Sequence, residues 1–238
     1  MPLMRLDKYL SECTALSRSR LRQIIKNGSV CVDDVPVRSP EQKLDSDTAQ
    51  VTLDGKPVRY EKFCYYMLNK PSGLLSATDD KKQKTVIDLF PAELRKKNLF
   101  PVGRLDKDTT GLLIITNDGE FAHRVISPKS EIVKTYRACT ESPVDDADVE
   151  AFRQGIMLAD GTLCLPAGLE KLPDGSCLVR VMEGKYHQVR RMMASRNMTV
   201  TYLERRQEGT LTLGDLPRGR TRELTEGEIA LLEGKTQP

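Results

Sequence analysis

The sequence predicts an α+β protein with a small N-terminal domain and a larger mixed domain behind it. Two short helical patterns open the chain, and strand-like runs alternate with helical segments in the rest of it. A polar, charged stretch at residues 58–62 separates the two parts. We therefore predict one domain over residues 1–57, a linker over 58–62 and a second domain over 63–238.

The first domain begins with two predicted helices. Apolar residues at helical spacing define the first helix, namely Leu6, Tyr9, Leu10 and Cys13. The second helix has Ser17 as a predicted N-cap and a left-handed stop at Asn27-Gly28. Between the cap and the stop there is no acid, and the basic residues are Arg18, Arg20, Arg22 and Lys26. Three of them, at positions 18, 22 and 26, share one exposed face.

A small antiparallel hairpin is predicted after these helices. Its strands are residues 29–32 and 35–37 around Asp33-Asp34, and a further strand at 51–53 ends at Asp54-Gly55. Two helices, a basic face and a hairpin together resemble an S4 domain, a compact RNA-binding module, over residues 4–57. The alternative is a basic face that is only solvated, but four cations without an acid favour RNA.

The second domain is predicted from strand-like runs at 112–116, 133–139, 178–182 and 199–203 and a helical segment at 144–154. A hydrophobic fraction of 39% with 30% charged residues is typical of a globular protein. No apolar run approaches the ~20 residues of a membrane span, so we expect a cytoplasmic protein. Six cysteines without a CxxC pair and only two histidines do not predict a zinc site.

The most informative segment is a polar loop that leads into an apolar strand. It reads FPVGRLDKDTTGLL over residues 100–113, with its polar and charged residues directly before the apolar run. Loops held on a rigid strand are favourable places for catalytic groups. Taken alone, Asp106 and Asp108 could also be turn formers or magnesium ligands.

Several strings, in order along the chain, resemble the RsuA family of RNA pseudouridine synthases. GRLDKDTTGLL at 103–113, KTYRA at 134–138 and EGKYHQVRRM at 183–192 carry the resemblance, and LNKPSGLLSAT at 68–78 and TLTLGDLPRGRTRELTEGEI at 210–229 support it. It implies an S4 head, a largely antiparallel catalytic sheet and a reaction that uses no cofactor and no metal. One departure is Arg206-Gln207-Glu208-Gly209, where similar proteins usually have Arg and an apolar residue before the glycine. This departure puts RNA contacts at that point in doubt.

The resemblance also implies the roles of individual residues. It assigns the catalytic carboxylate to Asp106, an aromatic pocket wall to Tyr136 and a cation that pairs with Asp106 to Arg190. By themselves, Tyr136 could be a core residue of a strand and Arg190 a solvated helix residue. Further residues expected to contact RNA are Arg104, Lys134, Lys185, His187, Gln188 and Arg191. We do not assign a general base to His187, because the sequence shows no nearby acid to orient it.

The implied reaction suits these residue types. Pseudouridylation breaks the bond between the ribose and N1 of a uracil within RNA and rejoins the base through C5, so no atoms are gained or lost. It requires a carboxylate close to the glycosidic bond. The base must also leave the RNA stack, and an aromatic wall returns part of that cost, about 1–3 kcal/mol per base.

The interpretation that the resemblance favours is a pseudouridine synthase for small-subunit rRNA, and it has three alternatives. A non-catalytic rRNA-binding assembly factor would have no chemical use for Asp106, Tyr136 and Arg190 together. A glycoside hydrolase with paired carboxylates is disfavoured by the RNA-binding head and by the absence of tryptophan. A synthase for large-subunit rRNA shares the chemistry, but overall similarity favours the small subunit. The expected partner is ribosomal RNA or the assembling small subunit, with no membrane contact, and we expect a monomer.

Overall fold

The structure, a computed structural model, describes residues 3–234. Its helices are α1 (Leu6–Cys13), α2 (Arg18–Lys26), α3 (Ala92–Arg95), α4 (Gly119–Ile126), α5 (Asp146–Gln154), α6 (Gln188–Ala194) and α7 (Glu226–Leu232). Single 3₁₀ turns lie at Val86–Leu89 and Pro128–Ser130. No helix within residues 3–234 combines the length and the apolar character that crossing a membrane requires.

The strands are short in the N-terminal part and longer afterwards. They are β1 (Leu3–Arg5), β2 (Val30–Val32), β3 (Val35–Val37), β4 (Lys43–Asp45), β5 (Val51–Leu53), β6 (Lys56–Val58), β7 (Tyr65–Lys70), β8 (Phe100–Val102), β9 (Thr110–Thr116), β10 (Lys134–Thr140), β11 (Gly168–Lys171), β12 (Cys177–Val181), β13 (Val200–Glu208), β14 (Leu211–Thr212) and β15 (Thr221–Glu223). Both helices and strands are therefore present in each part, as predicted for an α+β protein.

The chain divides into two compact units. The first contains the residues up to 63 together with Pro91–Asn98, and the second contains 64–90 and the residues from 99 onwards. The predicted boundary at 57 and the linker at 58–62 differ from this division. The Tyr9 hydroxyl donates to the Val58 carbonyl (3.0 Å) and accepts from the Tyr60 amide (3.1 Å), so this stretch packs on α1. The return of residues 91–98 to the first unit has no counterpart in the sequence pattern.

In the first unit, α1 and α2 share a core with the sheet β3-β2-β5-β6. The Ser17 side chain caps α2 by accepting from the Arg20 amide, as predicted. Asp33 and Asp34 both have positive φ, which matches the two-residue turn expected between β2 and β3. The buried apolar residues include Leu6, Leu10 and Leu21.

The second unit is built on one large sheet in the order β11-β12-β10-β13-β9-β7-β15, with β14 and β8 attached to β13 and β9. Its strand pairs are antiparallel apart from β9 with β13, which run parallel and place Gly111 opposite Arg205. Gly111 has φ +100°, and a Cβ at this position would lie 2.2 Å from the Arg205 carbonyl oxygen. Only glycine allows the two halves of the sheet to join so closely.

Two hydrophobic cores lie in this unit. One contains Phe152, Val179, Met192 and Leu203, and the other contains Met67, Leu112, Phe121 and Leu213. The predicted strands and the predicted helix at 144–154 are present, with ends shifted by a few residues. The largest difference is in β13, which continues to Glu208. Its second half contains the polar but buried residues Glu204, Arg205 and Glu208, so the apolar pattern ends before the strand does.

Candidate active site

The loop that carries Asp106 is held by a buried lysine. Lys70, at the end of β7, is fully buried, and its Nζ donates to the carbonyls of Pro71 (3.2 Å), Asp106 (3.1 Å), Lys107 (3.0 Å) and Thr109 (2.9 Å). An ammonium group has three protons, so these four acceptors share its charge. Burial lowers the pKa of Lys70 to about 8, although the nearby acids of the loop partly oppose this.

A serine fixes the same loop from the other side. The Ser76 hydroxyl donates to the Leu105 carbonyl (2.8 Å) and accepts from the Leu105 amide (3.1 Å). The residue directly before Asp106 is therefore bound through both of its backbone groups. Lys70 and Ser76 lie in the string LNKPSGLLSAT, but nothing in that pattern predicts this task for them.

Asp106 lies in an open pocket of the second unit. The lining residues are Arg104, Leu105, Asp106, Thr109, Tyr136, Val181, Glu183, Gly184, Lys185, His187, Gln188, Val189 and Leu203. The Asp106 side chain is 27% exposed, and His187 Nε2 lies 3.3 Å from its Oδ1. The carboxylate is thus accessible from the pocket while one side chain holds it.

The position of His187 depends on a braced loop. Gln188 is buried, its Oε1 accepts from the Lys185 amide (2.9 Å), and its Nε2 donates to Glu183 Oε1 (2.8 Å). His187 itself has left-handed backbone angles, φ 47° and ψ 35°. The premise that no acid lies near His187 is wrong, because this turn brings it to Asp106. Gln188 uses its amide to brace the loop, and its contact with RNA stays a prediction.

Tyr136 reaches the pocket through the register of the sheet. On β10 it lies opposite Arg205 of β13, and Arg205 in turn lies opposite Gly111 of β9. Its ring is partly buried and lines the same pocket as Asp106. Burial raises the pKa of the Tyr136 hydroxyl, while the Arg205 guanidinium beside it acts in the opposite direction. The tyrosine therefore stays neutral near pH 7.

Arg205 belongs to a buried ion pair that the sequence analysis missed. Arg205 Nη2 and Glu208 Oε2 are 3.2 Å apart, with both side chains at most 2% exposed. The geometry is that of an ion pair without a hydrogen bond between these atoms, and Arg205 Nε donates to the Leu112 carbonyl (2.7 Å). The unusual acid at position 208 was visible as a departure from the family pattern. Its pairing with Arg205 was not predicted, because residues three positions apart on a regular strand lie on opposite faces.

Arg190 does not make the contact that was expected of it. Its Nη2 donates to Asp108 Oδ2 (2.7 Å) and its Nη1 to the Val200 carbonyl (3.0 Å). It does not line the Asp106 pocket. The pairing of Arg190 with Asp106 is thus corrected to a pairing with Asp108, because α6 places the guanidinium toward the far end of the loop and the start of β13.

The other residues expected to contact RNA have different surroundings. Arg104 is exposed at the pocket, and within residues 3–234 its guanidinium has no carboxylate partner. Lys185 also lines the pocket but pairs with Glu183, and Arg191 pairs with Asp160. Lys134 is partly buried, donates to the Ile132 carbonyl and lies outside the pocket. Burial lowers its pKa, with Glu208 opposing.

The basic face of the first unit consists of three exposed cations and one that is paired. Arg18, Arg20 and Lys26 are exposed. Arg22 is different, because its Nε lies 3.1 Å from Oδ2 of Asp7, a side chain that is only 4% exposed. Arg22 is therefore not one of the free charges that were predicted on α2. It pairs with Asp7, which lies on α1 and could not be recognised as a partner from the sequence of α2.

The groups that line the pocket are suited to nucleophilic or acid–base chemistry. It offers a positioned carboxylate, an aromatic wall and an exposed cation. A carboxylate in such a place can act as a nucleophile or as a base.

Comparison with family models identifies both units. Residues 64–195 match the model of RNA pseudouridylate synthase, and residues 4–48 match the S4 domain. The matched span of the first model contains Asp106, Tyr136 and Arg190.

Similar proteins span nearly the whole chain. "Uncharacterized RNA pseudouridine synthase YtzG" of Bacillus subtilis is 42% identical over 234 residues, covering 96% of this chain and 98% of its own length. "Ribosomal small subunit pseudouridine synthase A" of Escherichia coli K12 is 40% identical over 230 residues, covering 95% and 99%. A solved structure described as "Crystal structure of pseudouridylate synthase" aligns with a TM-score of 0.69 at 35% identity, covering 96% of this chain and 99% of that one.

Proposed function

Because the chain belongs to the RsuA family of RNA pseudouridine synthases, we propose that it isomerises a uridine of small-subunit rRNA with Asp106 as the nucleophile. Its standing as an RNA pseudouridine synthase follows from the family. The choice of the small subunit rests on relatives from Escherichia coli and Vibrio cholerae, which are named for that ribosomal subunit.

The single observation that carries the choice of Asp106 is its place in the pocket. Its carboxylate is partly exposed there, beside an aromatic wall at Tyr136, while Asp108 of the same loop is neutralised by Arg190. A nucleophilic carboxylate needs an accessible oxygen and a fixed backbone. Lys70 and Ser76 supply the second requirement.

The remaining pocket residues have tasks that fit this reaction. A uridine flipped out of the RNA enters the pocket with one face toward Tyr136, which returns part of the unstacking cost. The exposed guanidinium of Arg104 is available for the phosphate backbone. Breaking and reforming the glycosidic bond conserves all atoms, so the residues of the chain need only supply the Asp106 carboxylate, position the base and exchange protons.

The test is a map of pseudouridines in both ribosomal RNAs of the source organism, with the gene intact, deleted, or replaced by Asp106→Asn. One uridine of small-subunit rRNA should lose its modification in the deletion and in the Asp106→Asn strain, and regain it with the wild-type gene. Loss at a large-subunit site would move the target to the other RNA. An unchanged map would refute the rRNA assignment, and full modification by the Asp106→Asn enzyme would refute the assigned nucleophile.

A further inference from the structure

An exposed aromatic residue stands directly beside the Asp106 pocket. Tyr186 is 75% exposed, more than any other large apolar or aromatic side chain of the described residues. Its ring stacks on the ring of His187, with centroids 3.8 Å apart and planes inclined by 19°. Since His187 lines the pocket and contacts Asp106, the two rings form a step from the pocket to the surface.

The step is rigid. Gln188 braces the loop from Glu183 to His187 through two hydrogen bonds, and Arg191 Nη1 donates to the Tyr186 carbonyl (3.3 Å). The left-handed backbone at His187 is uncommon for a residue with a Cβ and needs such support. A large aromatic ring held in water by a braced backbone points to a contact with a molecule outside the chain.

The surroundings of the step indicate which molecule this is. Arg104 also lines the pocket, and among residues 3–234 its exposed guanidinium has no carboxylate partner, so an unpaired cation lies close to Asp106. A planar group attached to a phosphate chain satisfies both the aromatic faces and this charge. An RNA base next to the flipped uridine has this chemistry and is continuous with the substrate of the pocket.

We propose that Tyr186 and His187 form a stacking step for an unpaired base adjacent to the target uridine, so that the enzyme selects a uridine within a locally single-stranded segment. This inference rests on the proposed function of the Asp106 pocket. A base in a duplex has both faces covered by its neighbours, so only an unpaired or opened neighbour can occupy the step. Tyr186 then acts in substrate recognition, and the reacting atoms remain with Asp106.

The first test compares full-length variants acting on small-subunit rRNA. Tyr186→Ala should raise KM by about 10- to 100-fold, because one stacked base is lost, and should change kcat much less. Tyr186→Phe keeps the ring and should stay within about twofold of the wild type. Leu231→Ala is the matched control, since Leu231 is an exposed apolar side chain that does not line the pocket. Melting temperatures of all variants should agree, and a wild-type KM for Tyr186→Ala overturns the proposal.

The second test separates stacking from a purely structural role. Two RNAs carry an abasic nucleotide on the 5′ or the 3′ side of the mapped uridine. On the RNA that lacks the stacking base, Tyr186→Ala should cause no further loss of affinity. On the other RNA, Tyr186→Ala should keep its full effect. An undiminished effect of Tyr186→Ala on both RNAs overturns the stacking step. The proposed function fails separately, if Asp106→Asn retains activity or the wild-type enzyme modifies no small-subunit uridine.

Discussion

Arg190 is hydrogen-bonded to Asp108 at 2.7 Å, whereas the carboxylate of Asp106 lies 3.3 Å from the imidazole of His187. Two acids of one loop therefore have different surroundings. Asp108 is 64% exposed and neutralised by a guanidinium, whereas Asp106 faces the pocket beside an imidazole. Under the proposed function, this difference separates a structural carboxylate, Asp108, from the nucleophile, Asp106.

Substitution of each acid by its amide tests that separation. Asp106→Asn should give no product while RNA binding survives, because the amide keeps the shape and loses the nucleophilic charge. Asp108→Asn should lower turnover by about tenfold at most, since a partly exposed ion pair contributes about 1 kcal/mol. Single-turnover assays and RNA affinities measure both effects. Equal inactivity of the two variants would refute a single catalytic carboxylate in this loop.

The pairing of Arg190 with Asp108 predicts coupling between them. In a double-mutant cycle of Arg190→Ala and Asp108→Ala, the losses in unfolding free energy should fall short of additivity by about 0.5–1 kcal/mol. Arg190→Lys should be intermediate, because one ammonium cannot reproduce the two separate contacts to Asp108 and the Val200 carbonyl. Urea unfolding of the four proteins provides the measurement. Additive losses, together with coupling of Arg190 to Asp106, would restore the pairing first expected from the sequence.

The buried Lys70 predicts that turnover falls at alkaline pH. The pKa of Lys70 is about 8, so raising the pH from 7.5 to 9 removes its charge and one of its three donors. Turnover should fall in this window as the carbonyls of the Asp106 loop lose their clamp. Stability should respond in the opposite direction. The pKa is higher in the unfolded chain, so the unfolded state binds more protons and the contribution of Lys70 to the unfolding free energy rises with pH.

Parallel profiles of kcat and of urea midpoint over pH 7.5–9 examine this prediction. Lys70→Met keeps the length of the side chain and removes the donors, and should lower kcat strongly at every pH. A wild-type profile in which activity and stability decline together would assign the loss to unfolding instead of the loop.

The Arg205–Glu208 pair should matter for stability. Glu208→Gln leaves a guanidinium buried without its counter-charge, which costs about 3–5 kcal/mol. Replacing both residues with apolar ones, Arg205→Met with Glu208→Leu, should cost less than the single change, since no charge stays buried. Glu150→Gln serves as control, because Glu150 pairs with Arg153 on an exposed helix surface and should leave the urea midpoint nearly unchanged. Comparable midpoints for Glu208→Gln and the control would disprove the role of the pair.

The first unit allows RNA contact and structural pairing to be separated on one helix. Arg18→Ala, Arg20→Ala and Lys26→Ala together should weaken RNA binding and reduce its salt dependence by up to about one log-log unit per lost phosphate contact. Their melting temperature should stay close to that of the wild type. Arg22→Ala should lower the melting temperature, because it removes a partner of the buried Asp7. Unchanged affinity of the triple variant at two salt concentrations would exclude this face from RNA binding.

Much of the fold follows from patterns that are local in sequence. The cap at Ser17, the turn at Asp33-Asp34 and the apolar strand β9 are each specified by residues that touch within a few positions. The C-terminal end of β13 was not predicted, because Arg205 and Glu208 make the sequence of the strand look polar. Both side chains are buried, and each neutralises the charge of the other. The packing of residues 91–98 with the first unit depends on contacts distant in sequence, which no local pattern records.

The candidate site shows the same division. The strings that contain Asp106 and Tyr136 identified two residues that the structure brings into one pocket. The partner of Arg190 was misassigned, since its choice between two acids only two positions apart depends on the placement of α6. Lys70 and Gln188 act through backbone and loop contacts, and nothing in their residue type marks such a task.

The parallel pairing of β9 with β13 determines when, during synthesis of the chain, the Asp106 pocket can form. Gly111 and Arg205 are 94 positions apart, and their pairing joins the strand behind the Asp106 loop to the half of the sheet that carries Tyr136. Contacts this distant in sequence form late, after the intervening chain has been made. A nascent chain that has not yet released β13 from the ribosome therefore carries every residue of the Asp106 loop but no assembled pocket. Translation that stops before residue 200 should leave a product that can still fold its first unit and cannot modify RNA.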